Sequence, residues 1–362
     1  MKIVIDARTL GTKPSGIGIY AYNFLCGLLD KYDVTLVTDL ATSSEMMSLK
    51  EKGVKIIEYG KEIYRSTGVF SYFRFVRQVL RDVQPELFWE PNILVPIALS
   101  GFHGKTVITI HDMFPVTMPQ YFGKKYSAYF KFMLKRTLKH TDLILYNSFE
   151  TKKETEQFFP TAKSVESHVL YIIVPRAAYQ GEIQDGEYFL YVGNMEKRKG
   201  VDILVDAFGK YVEKGGKKKL VLAGKKREDD VDAKISELVS RYPEQVTYKG
   251  YVTDEEKNAL YAGAAVVLFQ SRAEGFGLCV IEAMQYQKKV LASDLSIFQE
   301  IVGDAVSYFP LSGGAEALSS AMLQELPDPD LEKYKNVMEK YSPETLIPRL
   351  LEVFDDVGKK KS

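Results

Sequence analysis

The fold is decided by one segment of the chain, residues 265–284, which reads AVVLFQSRAEGFGLCVIEAM. Its first six residues form an apolar, β-branched run of the kind that makes a buried strand. Gly275 and Gly277 then allow a tight turn in which the backbone can approach a ligand closely. From about Leu278 the apolar residues recur with helical spacing. A strand, a glycine turn and a helix in succession predict the repeating unit of a parallel α/β sheet.

The same alternation of strand and helix extends in both directions from this segment and predicts two parallel sheets, because 362 residues exceed one ordinary core. The predicted strands span residues 2–6, 34–38, 54–58, 87–89, 106–110, 142–146, 168–172, 188–192, 219–223, 246–249, 265–270 and 289–293. The predicted helices include residues 16–31, 67–83, 122–139 and 202–213. The polar passage 175–181 is interpreted as a linker. We therefore expect domains over residues 1–175 and 182–341, followed by a helix over 342–358.

Charge and composition limit the classes of function. Lys plus Arg and Asp plus Glu each number 48, so no overall positive field favours nucleic acid as a partner. Residues 1–175 carry 22 basic and 17 acidic side chains, which indicates either an anionic partner such as a membrane surface or a chance difference between domains. No apolar run approaches the ~20 residues that span a bilayer. Cys26 and Cys279 are expected to be buried thiols, which favours a cytoplasmic protein.

A second strand-to-helix turn, residues 193–200 with the sequence GNMEKRKG, carries three consecutive cations. Cations ahead of a helix N-terminus oppose the helix dipole, so they destabilise the turn unless an anion joins them. A diphosphate held by Arg198, Lys199 and free backbone amides would supply that anion. The alternative interpretation is a solvated basic loop.

Two glutamates flank the glycine turn of the first segment. Glu274 lies in the loop, and Glu282 lies about one turn inside the helix. Carboxylates accept hydrogen bonds from the vicinal hydroxyls of ribose or hexose, and amides at a helix N-terminus suit an oxyanion or sugar hydroxyls. The segment therefore indicates a sugar site, with a glycine turn and two solvated glutamates as the alternative.

Other motifs give weaker indications. Residues 16–21, GIGIYA, fit a dinucleotide-binding fingerprint, but about nine residues separate Gly16 from the predicted strand 2–6, whereas that fingerprint follows its strand directly. NAD binding is therefore a distant alternative. Asp328-Pro329-Asp330 has the D-x-D form of metal-dependent sugar transferases, but Pro and Asp between helices more often form a turn or cap. The four histidines lack metal-ligand spacing, so no metal site is predicted.

Taken in order, these segments resemble glycosyltransferase family four, a large retaining family with the GT-B fold. The basic turn 193–200 and the motif E-G-F-G followed by E-A at residues 274–283 carry the resemblance. Further matches lie at residues 6–8, 16–18, 92–96, 109–112 and 300–305. The resemblance implies two facing Rossmann-like, doubly wound domains with an inter-domain cleft. It also implies that the last helix crosses back to the first domain.

The resemblance implies roles for individual residues. Catalysis would depend on His111, Glu274 and Lys199. The nucleotide sugar would be bound by residues of the same motifs, namely Gly16, Gly18, Arg198, Lys199, Gly275, Phe276, Gly277 and Glu282. Within this set Lys199 would hold the diphosphate, Glu282 the ribose and Glu274 the sugar hydroxyls. The loop that contains Gly16 and Gly18 would close over the phosphates, and His111 would contact the transferred sugar.

The implied activity is transfer of a hexose, of the mannosyl type, with retention of configuration and without a metal or other cofactor. The donor would be a GDP-, UDP- or dTDP-sugar, and the acceptor a saccharide, possibly lipid-linked, in cell-surface polysaccharide synthesis. Two rival functions are a GT-B sugar-nucleotide epimerase and a non-catalytic sugar-nucleotide-binding protein. The chain departs from the family at Asn194, where many members have arginine, and at Cys279, where proline is more usual. The first departure bears on donor affinity more than on the reaction.

Residues 121–140 carry six cations and no acid. The cations are Lys124, Lys125, Lys131, Lys135, Arg136 and Lys139. Four of the lysines share one predicted helical face, opposite Tyr126, Phe130 and Leu134. Two interpretations stay open: a solvated face above a core stripe, or peripheral docking at the inner face of an anionic membrane that carries a lipid-linked acceptor.

Overall fold

The computed structural model describes residues 1–63, 68–93, 101–177, 179, 181–184 and 186–359. The chain divides into two compact units, of which unit 1 comprises Met1–Ile173 and Tyr341–Ser362 and unit 2 comprises Val174–Lys340. Each unit is built on one parallel sheet, so the predicted α/β class with two Rossmann-like units is confirmed. Residues 360–362 and parts of the predicted motif 92–96 and of the linker 175–181 lie outside the described residues.

Unit 1 contains a seven-stranded parallel sheet. Its strands are β1 (Lys2–Asp6), β2 (Asp33–Thr38), β3 (Lys55–Glu58), β4 (Leu87–Glu90), β5 (Lys105–Ile110), β6 (Leu143–Tyr146) and β7 (Glu166–Val169). Its helices up to β7 are α1 (Gly16–Leu29), α2 (Ser44–Glu51), α3 (Val69–Val83), α4 (Phe114–Thr117), α5 (Pro119–Phe122), α6 (Lys124–Thr137) and α7 (Phe149–Phe158). The order across the sheet is β3-β2-β1-β4-β5-β6-β7. The central strands are apolar on both faces, as helices on both sides of a parallel sheet require.

Unit 2 contains a six-stranded parallel sheet. Its strands are β8 (Tyr188–Val192), β9 (Lys219–Ala223), β10 (Val246–Gly250), β11 (Val266–Phe269), β12 (Lys289–Ser293) and β13 (Ser307–Phe309). Its helices are α8 (Val201–Glu213), α9 (Asp229–Arg241), α10 (Asp254–Ala262), α11 (Leu278–Gln285), α12 (Ser296–Val302), α13 (Gly314–Leu323) and α14 (Leu331–Lys340). The order across the sheet is β10-β9-β8-β11-β12-β13.

The direction of strand succession reverses once in each sheet, between β1 and β4 in unit 1 and between β8 and β11 in unit 2. In open parallel sheets, ligands bind beyond the carboxyl ends of the strands at such a reversal. In unit 2 the two segments that follow these strand ends are the basic turn 193–200 and the glycine turn 270–277. The topology therefore places both candidate segments at the expected ligand position of unit 2.

The last helix, α15 (Pro343–Lys359), belongs to unit 1. Its buried face consists of Leu346, Leu350, Phe354 and Val357. The ring of Phe354 contacts that of Trp89 edge-on at 5.6 Å between centroids, and Asp355 accepts a hydrogen bond from the Tyr32 hydroxyl at 2.7 Å. The helix therefore completes the core of a unit whose other elements precede it by more than 170 residues.

The structure differs from the sequence-based predictions at some local elements and agrees with them at others. The seventh strand spans Glu166–Val169 rather than 168–172, and α2, α7 and β13 were not predicted. Thr253 and Glu256 bond reciprocally at the start of α10 and form a capping box. The D-x-D motif forms a turn and cap: Asp330 accepts from two amides of α14, and Asp328 pairs with Lys289 at 2.9 Å.

The structure also shows the exposure of the two cysteines and the length and apolarity of the helices. Both cysteines are free thiols, but Cys26 is exposed and Cys279 is partly exposed, so the expectation of two buried thiols was wrong. Cys26 lies on the outer side of α1, away from the buried positions of that helix. Within the described residues, none of the helices has the length and apolarity that crossing a bilayer requires.

Candidate active site

The basic turn and the glycine turn lie against each other at the carboxyl ends of β8 and β11, which are paired strands. The amide of Arg272 donates to the carbonyl of Arg198 at 2.8 Å, and the side-chain amide of Gln270 donates to the carbonyl of Lys199 at 3.0 Å. The two segments that the sequence singled out therefore form one continuous backbone surface in unit 2.

Two glycines make this close approach possible. Gly200 has φ +66°, and a Cβ there would lie 1.9 Å from the carbonyl oxygen of Gln270. Gly277 has φ +94°, and a Cβ there would lie 2.6 Å from Cε1 of Phe298. Both positions need the left-handed backbone region and have no room for a side chain. Gly200 is the N-cap residue of α8 and Gly277 that of α11, so the N-termini of two helices depend on them.

A side-chain ion pair fastens the two turns. The Arg272 guanidinium forms a two-pronged pair with Asp202 at 2.6 and 2.8 Å and also donates to the carbonyl of Lys197. Asp202 lies in the first turn of α8, where a carboxylate is favoured by the helix dipole. Arg272 belongs to the segment after β11, and Asp202 lies just beyond the basic turn that follows β8. The ion pair between them therefore fixes the distance between the two candidate segments.

At the centre of the site Lys199 pairs with Glu274. The Lys199 ammonium donates to both carboxylate oxygens at 2.7 and 2.8 Å, and the Ser271 hydroxyl donates to Oε1 of Glu274 at 2.5 Å. The Glu274 side chain is only 10% exposed and that of Lys199 22%. This half-buried pair holds two predicted catalytic residues in contact.

The remaining cations of the basic turn also have acidic partners. Arg198 pairs with Glu196 at 2.6 Å and donates to the carbonyl of Ala273 at 3.1 Å. Lys197 pairs with Asp230, and this contact raises the pKa of its ammonium group. The expectation that these cations need an external anion to offset the helix dipole was therefore too strong, because carboxylates of the same unit supply the counter-charge.

Glu282 lies on α11, near a group of side chains that the sequence did not single out. The Tyr261 hydroxyl donates to its Oε2 at 3.3 Å, and the ring of Tyr261 stacks on that of Tyr286 at 5.4 Å. The negative charge of Glu282 raises the pKa of Lys257 against the opposing effect of burial. Burial raises the pKa of the Cys279 thiol to about 12, and Glu282 adds to this shift. Helix α11 thus carries a neutral thiol in its first turn and a carboxylate at the start of its second.

The predicted amide donors lie where the glycine turn enters α11. Phe276 is 3% exposed, and its side chain anchors the turn in the interior. Gly277 is the N-terminal cap position and has no side chain that could satisfy the first amides of the helix. Gly275 lies between Glu274 and Phe276 in the same turn, so the predicted amides and the carboxylate of Glu274 belong to one loop.

In unit 1, the helix that begins with Gly16 and Gly18 contacts His111 through one of its aromatic side chains. Tyr20, in the second turn of α1, contacts the His111 ring edge-on at 4.8 Å between centroids. The amide of Gly18 is bonded to the Ser15 hydroxyl at 3.3 Å, which caps the helix. A Cβ on Gly18 would lie 2.2 Å from the carbonyl of Thr9, whereas one on Gly16 would meet open space. Only Gly18 is therefore required by packing.

The His111 imidazole is held in one orientation. Its Nε2 lies 2.9 Å from the carbonyl oxygen of Pro91, which can only accept, so Nε2 carries the proton and Nδ1 is left as an acceptor. Burial lowers the pKa of His111 from 6.5 to about 4. The carbonyl of His111 accepts from the Asn147 side chain at 2.8 Å. His111 is thus a fixed, neutral hydrogen-bond acceptor near physiological pH.

The acidic residue beside the apparent NAD fingerprint has a structural role. Asp39 directly follows β2, where such a fingerprint would place its acidic residue, and it accepts from the amides of Leu40 and Ile63 at 2.8 and 3.1 Å. The nine-residue gap is also present, because β1 ends at Asp6 and α1 begins at Gly16. Among the described residues, no group of three or more His, Cys, Asp or Glu side chains is arranged to hold a metal ion.

Two family models match the chain in succession. Residues 14–171 match the model of Glycosyltransferase Family 4, and residues 178–345 match that of Glycosyl transferases group 1. The chain is 31% identical to O-antigen chain mannosyltransferase B of Escherichia coli over 270 residues, which cover 69% of this chain and 67% of the relative. It is 22% identical to O-antigen chain mannosyltransferase RfbU of Salmonella typhimurium over 353 residues, 94% of this chain and 95% of the relative.

Solved structures of similar fold cover almost the whole chain. Anabaena HepE, crystallised with UDP and glucose, superposes with a TM-score of 0.75 at 18% identity, over 98% of this chain and 100% of that one. The lipopolysaccharide outer core galactosyltransferase WaaB superposes with a TM-score of 0.69 at 16% identity, over 98% and 100%. At these identities the likeness concerns the fold.

Proposed function

Because the chain belongs to glycosyltransferase family 4 and has the GT-B fold, we propose that it transfers a mannosyl group from a nucleoside-diphosphate sugar to a saccharide. The transfer proceeds with retention of the anomeric configuration, in the synthesis of a cell-surface polysaccharide. The family match, two O-antigen mannosyltransferases among the relatives and the fold support this proposal. The observation that carries it is the contact between Lys199 and Glu274 at the reversal point of the unit 2 sheet.

The donor diphosphate binds at the basic turn in this proposal. Lys199 and Arg198 supply positive charge, and the amides of residues 275–277 supply neutral donors beside it. Arg198 is oriented by Glu196, and Lys199 by Glu274 and Gln270. The pairs orient both cations before the substrate arrives, and a phosphate that binds Lys199 takes the place of Glu274 at the ammonium group.

The sugar and the ribose bind at the two carboxylates. Glu274 accepts hydrogen bonds from hydroxyls of the transferred sugar, and Glu282 accepts them from the ribose. Tyr261 orients Glu282 through the 3.3 Å hydrogen bond, while Ser271 orients Glu274 at 2.5 Å. In unit 1, Nδ1 of His111 accepts from a hydroxyl of the transferred sugar, and the loop that contains Gly16 and Gly18 contributes to phosphate binding.

The chemical step is a displacement on the face from which the diphosphate departs. The acceptor oxygen forms a bond to the anomeric carbon as the bond to the diphosphate oxygen breaks, and that oxygen takes the acceptor proton. Negative charge grows on the leaving group, so Lys199 and Arg198 stabilise the transition state more than the ground state. These two cations and the helix amides supply the charge stabilisation, and we infer that the reaction needs no metal ion.

We also propose a donor nucleotide and an acceptor. GDP-mannose is the expected donor, because the mannosyl relatives point to the sugar and the phosphate and hydroxyl contacts suit its diphosphate and ring. The acceptor is a growing saccharide on a lipid carrier, which brings the protein to the inner face of a membrane.

The experiment combines a thermal-shift screen with a transfer assay on the purified full chain. A bound donor raises the apparent melting temperature by mass action, so GDP-mannose should shift it more than UDP-glucose or dTDP-glucose. With a mannose-containing oligosaccharide as acceptor, the product should carry one added α-linked mannose. Conversion of the nucleotide sugar to an epimer without acceptor would instead identify an epimerase. Binding with neither transfer nor slow hydrolysis would identify a sugar-nucleotide-binding protein.

A further inference from the structure

Two carboxyl groups lie side by side where the unit 1 sheet reverses. Asp6 ends β1 and Glu90 ends β4, and these strands are paired with Ile5 opposite Trp89, so the two acids occupy the next level of the sheet. Each is 1% exposed. Neighbouring carboxylates that are buried in this way repel each other when both are ionised. The arrangement therefore needs either a cation or a proton.

The nearby cation compensates for only one of the two charges. The Arg8 guanidinium lies 3.5 Å from Oδ2 of Asp6 and 3.5 Å from Oε1 of Glu90, which is long for either ion pair. The Tyr72 hydroxyl donates to Oδ1 of Asp6 at 2.8 Å and adds no charge. Strand β5, the other neighbour of β4, has the apolar Ile108 at this level. If both acids were ionised, one negative charge would be left without a counter-charge.

The oxygens that lack a partner indicate the position of a proton. Oδ2 of Asp6 and Oε2 of Glu90 are both buried, and neither accepts a hydrogen bond from the described residues. A proton on Oε2 of Glu90 turns that oxygen into a donor to the Asp6 carboxylate and satisfies both atoms. Burial, the charge of Asp6 and this hydrogen bond raise the pKa of Glu90 well above its usual range, against the opposing charge of Arg8.

The other oxygen of Glu90 holds a turn that leads to His111. Oε1 accepts from the amide of Asn92 at 2.9 Å and so closes the turn over residues 90–92, of which Pro91 is the middle residue. The carbonyl oxygen of Pro91 lies 2.9 Å from Nε2 of His111. Because a carbonyl only accepts, its position decides that Nε2 carries the proton and that Nδ1 is the acceptor. Without the cap on this turn, the carbonyl could move and the other tautomer could form.

We propose that Glu90 is a positioning residue for the transfer reaction: it stays protonated against Asp6, caps the turn 90–92 and thereby fixes the tautomer of His111. The inference rests on the proposed function, in which Nδ1 of His111 accepts from a hydroxyl of the transferred sugar. Glu90 acts only through the Pro91 carbonyl and contacts no substrate. The role requires a donor toward Asp6 and an acceptor toward Asn92, which a protonated glutamate and a glutamine share.

The first measurement is the nitrogen NMR spectrum of the histidine side chains in the full chain, with the His111 signals identified by their absence from H111N. The wild type should show Nε2 protonated and Nδ1 unprotonated near neutral pH. E90Q should keep this tautomer, because the glutamine makes both hydrogen bonds. E90M, of similar size but with neither bond, should populate both tautomers. An unchanged tautomer in E90M, or its loss in E90Q, would overturn the proposal.

The second measurement tests the proton on Glu90 through stability. A group whose pKa is raised on folding stabilises the folded chain at low pH, and this contribution is lost as the pH rises above the ordinary value of 4.5. Glutamine has no such slope, so the melting temperature of E90Q should rise by a few degrees relative to the wild type between about pH 5 and 8. His111 titrates in both proteins, so its effect cancels in the difference. A difference that stays constant or falls as the pH rises would refute a protonated Glu90.

E58Q is the matched control for removing an acid of unit 1. Glu58 also accepts from a backbone amide, that of Ala41 at 2.9 Å, but the hydrogen bond from Lys50 lowers its pKa. The stability that such a group contributes is lost only at low pH, so between about pH 5 and 8 E58Q should differ from the wild type by a constant amount. A difference that grows with pH, as in E90Q, would overturn the assignment of the proton to Glu90.

Transfer assays connect Glu90 to the reaction. In E90M, kcat should fall about 10- to 100-fold at saturating donor, because a contact to the reacting sugar is misplaced, and the KM for the donor should change less. E90Q should recover most of the rate. A normal kcat in E90M, or no recovery in E90Q, would refute the positioning role. If the wild type transferred no sugar, the proposed function would fail, whereas the spectra and melting curves need no substrate and would still decide for or against Glu90.

Discussion

The ammonium group of Lys199 lies within 2.8 Å of both carboxylate oxygens of Glu274. In the proposed mechanism these residues bind different parts of the donor, the diphosphate and the sugar. The two charges neutralise each other, so a phosphate must displace the Glu274 carboxylate in order to bind Lys199. The released carboxylate then accepts hydrogen bonds from the sugar hydroxyls. Diphosphate binding and sugar binding are therefore coupled through one ion pair.

We expect K199A and E274A each to lower turnover by about 10²–10³-fold, the loss seen when one group that stabilises a transition state is removed. Melting temperatures should show that both variants fold. The measurement is the initial rate of mannosyl transfer at saturating donor.

The matched control is K234A, which breaks a pair of similar geometry with Asp206 on the exposed surface of unit 2. Its rate should equal that of the wild type. A near-normal rate in K199A or E274A would remove that residue from the site.

E274Q should bind the nucleoside diphosphate product several-fold more tightly than the wild type, although it transfers sugar poorly. Glutamine keeps the size of the side chain but carries no charge, so Lys199 is no longer neutralised by its neighbour. Calorimetric titration with GDP measures the effect.

E316Q is the control for net charge, since Glu316 pairs with Lys210 and Lys214 on the surface of the same unit. GDP should bind it like the wild type. If GDP bound E274Q no more tightly, the competition between the carboxylate and the phosphate would be refuted.

G200A should destabilise unit 2 by roughly 2 kcal/mol or more beyond G215A. Both glycines have positive φ, +66° and +90°, but only at Gly200 would a Cβ meet another atom, the Gln270 carbonyl at 1.9 Å. The backbone strain of a side chain at positive φ is common to both variants. The difference in their free energies of unfolding is therefore the free energy needed to move the two turns apart. Urea unfolding of both variants gives the difference, and equal losses would show that the turns can move apart freely.

His111 should make stability depend on pH between about 4 and 6.5. Its folded-state pKa is about 4, below the unfolded value of 6.5, so in this range the unfolded chain binds more protons and stability falls as the pH falls. The slope contributed by one group is at most about 1.4 kcal/mol per pH unit.

H111N should remove that slope from the melting temperatures measured between pH 6.5 and 4, whereas H168N, at an exposed site beside Glu166, should retain it. Identical pH profiles for the wild type and H111N would show that the imidazole titrates normally.

All strands but β13 were predictable, because most of them are continuous apolar runs. Elements with weak patterns were not: α7 is mostly polar and is signalled only by its Ser148 cap, and β13 has three residues. At the site, the glycines and charged residues could be recognised because close approach and counter-charge demand those residue types.

The partners of the site residues could not be found in the same way. Asp202, Ser271 and Tyr261 are ordinary polar residues until the fold brings them to Arg272, Glu274 and Glu282. The exposure of Tyr126 was also missed: it lies four residues before the buried Phe130, on the same side of α6, yet it is 45% exposed.

The return of α15 to unit 1 has a consequence for biosynthesis. The surface of unit 1 at Trp89 and Tyr32 is covered by residues that leave the ribosome after all of unit 2. During translation this surface of unit 1 stays exposed until α15 has been made. Unit 2 can fold as soon as its own segment has emerged. A stop codon before residue 343 would therefore leave the earlier-made unit unfinished and the later-made one whole.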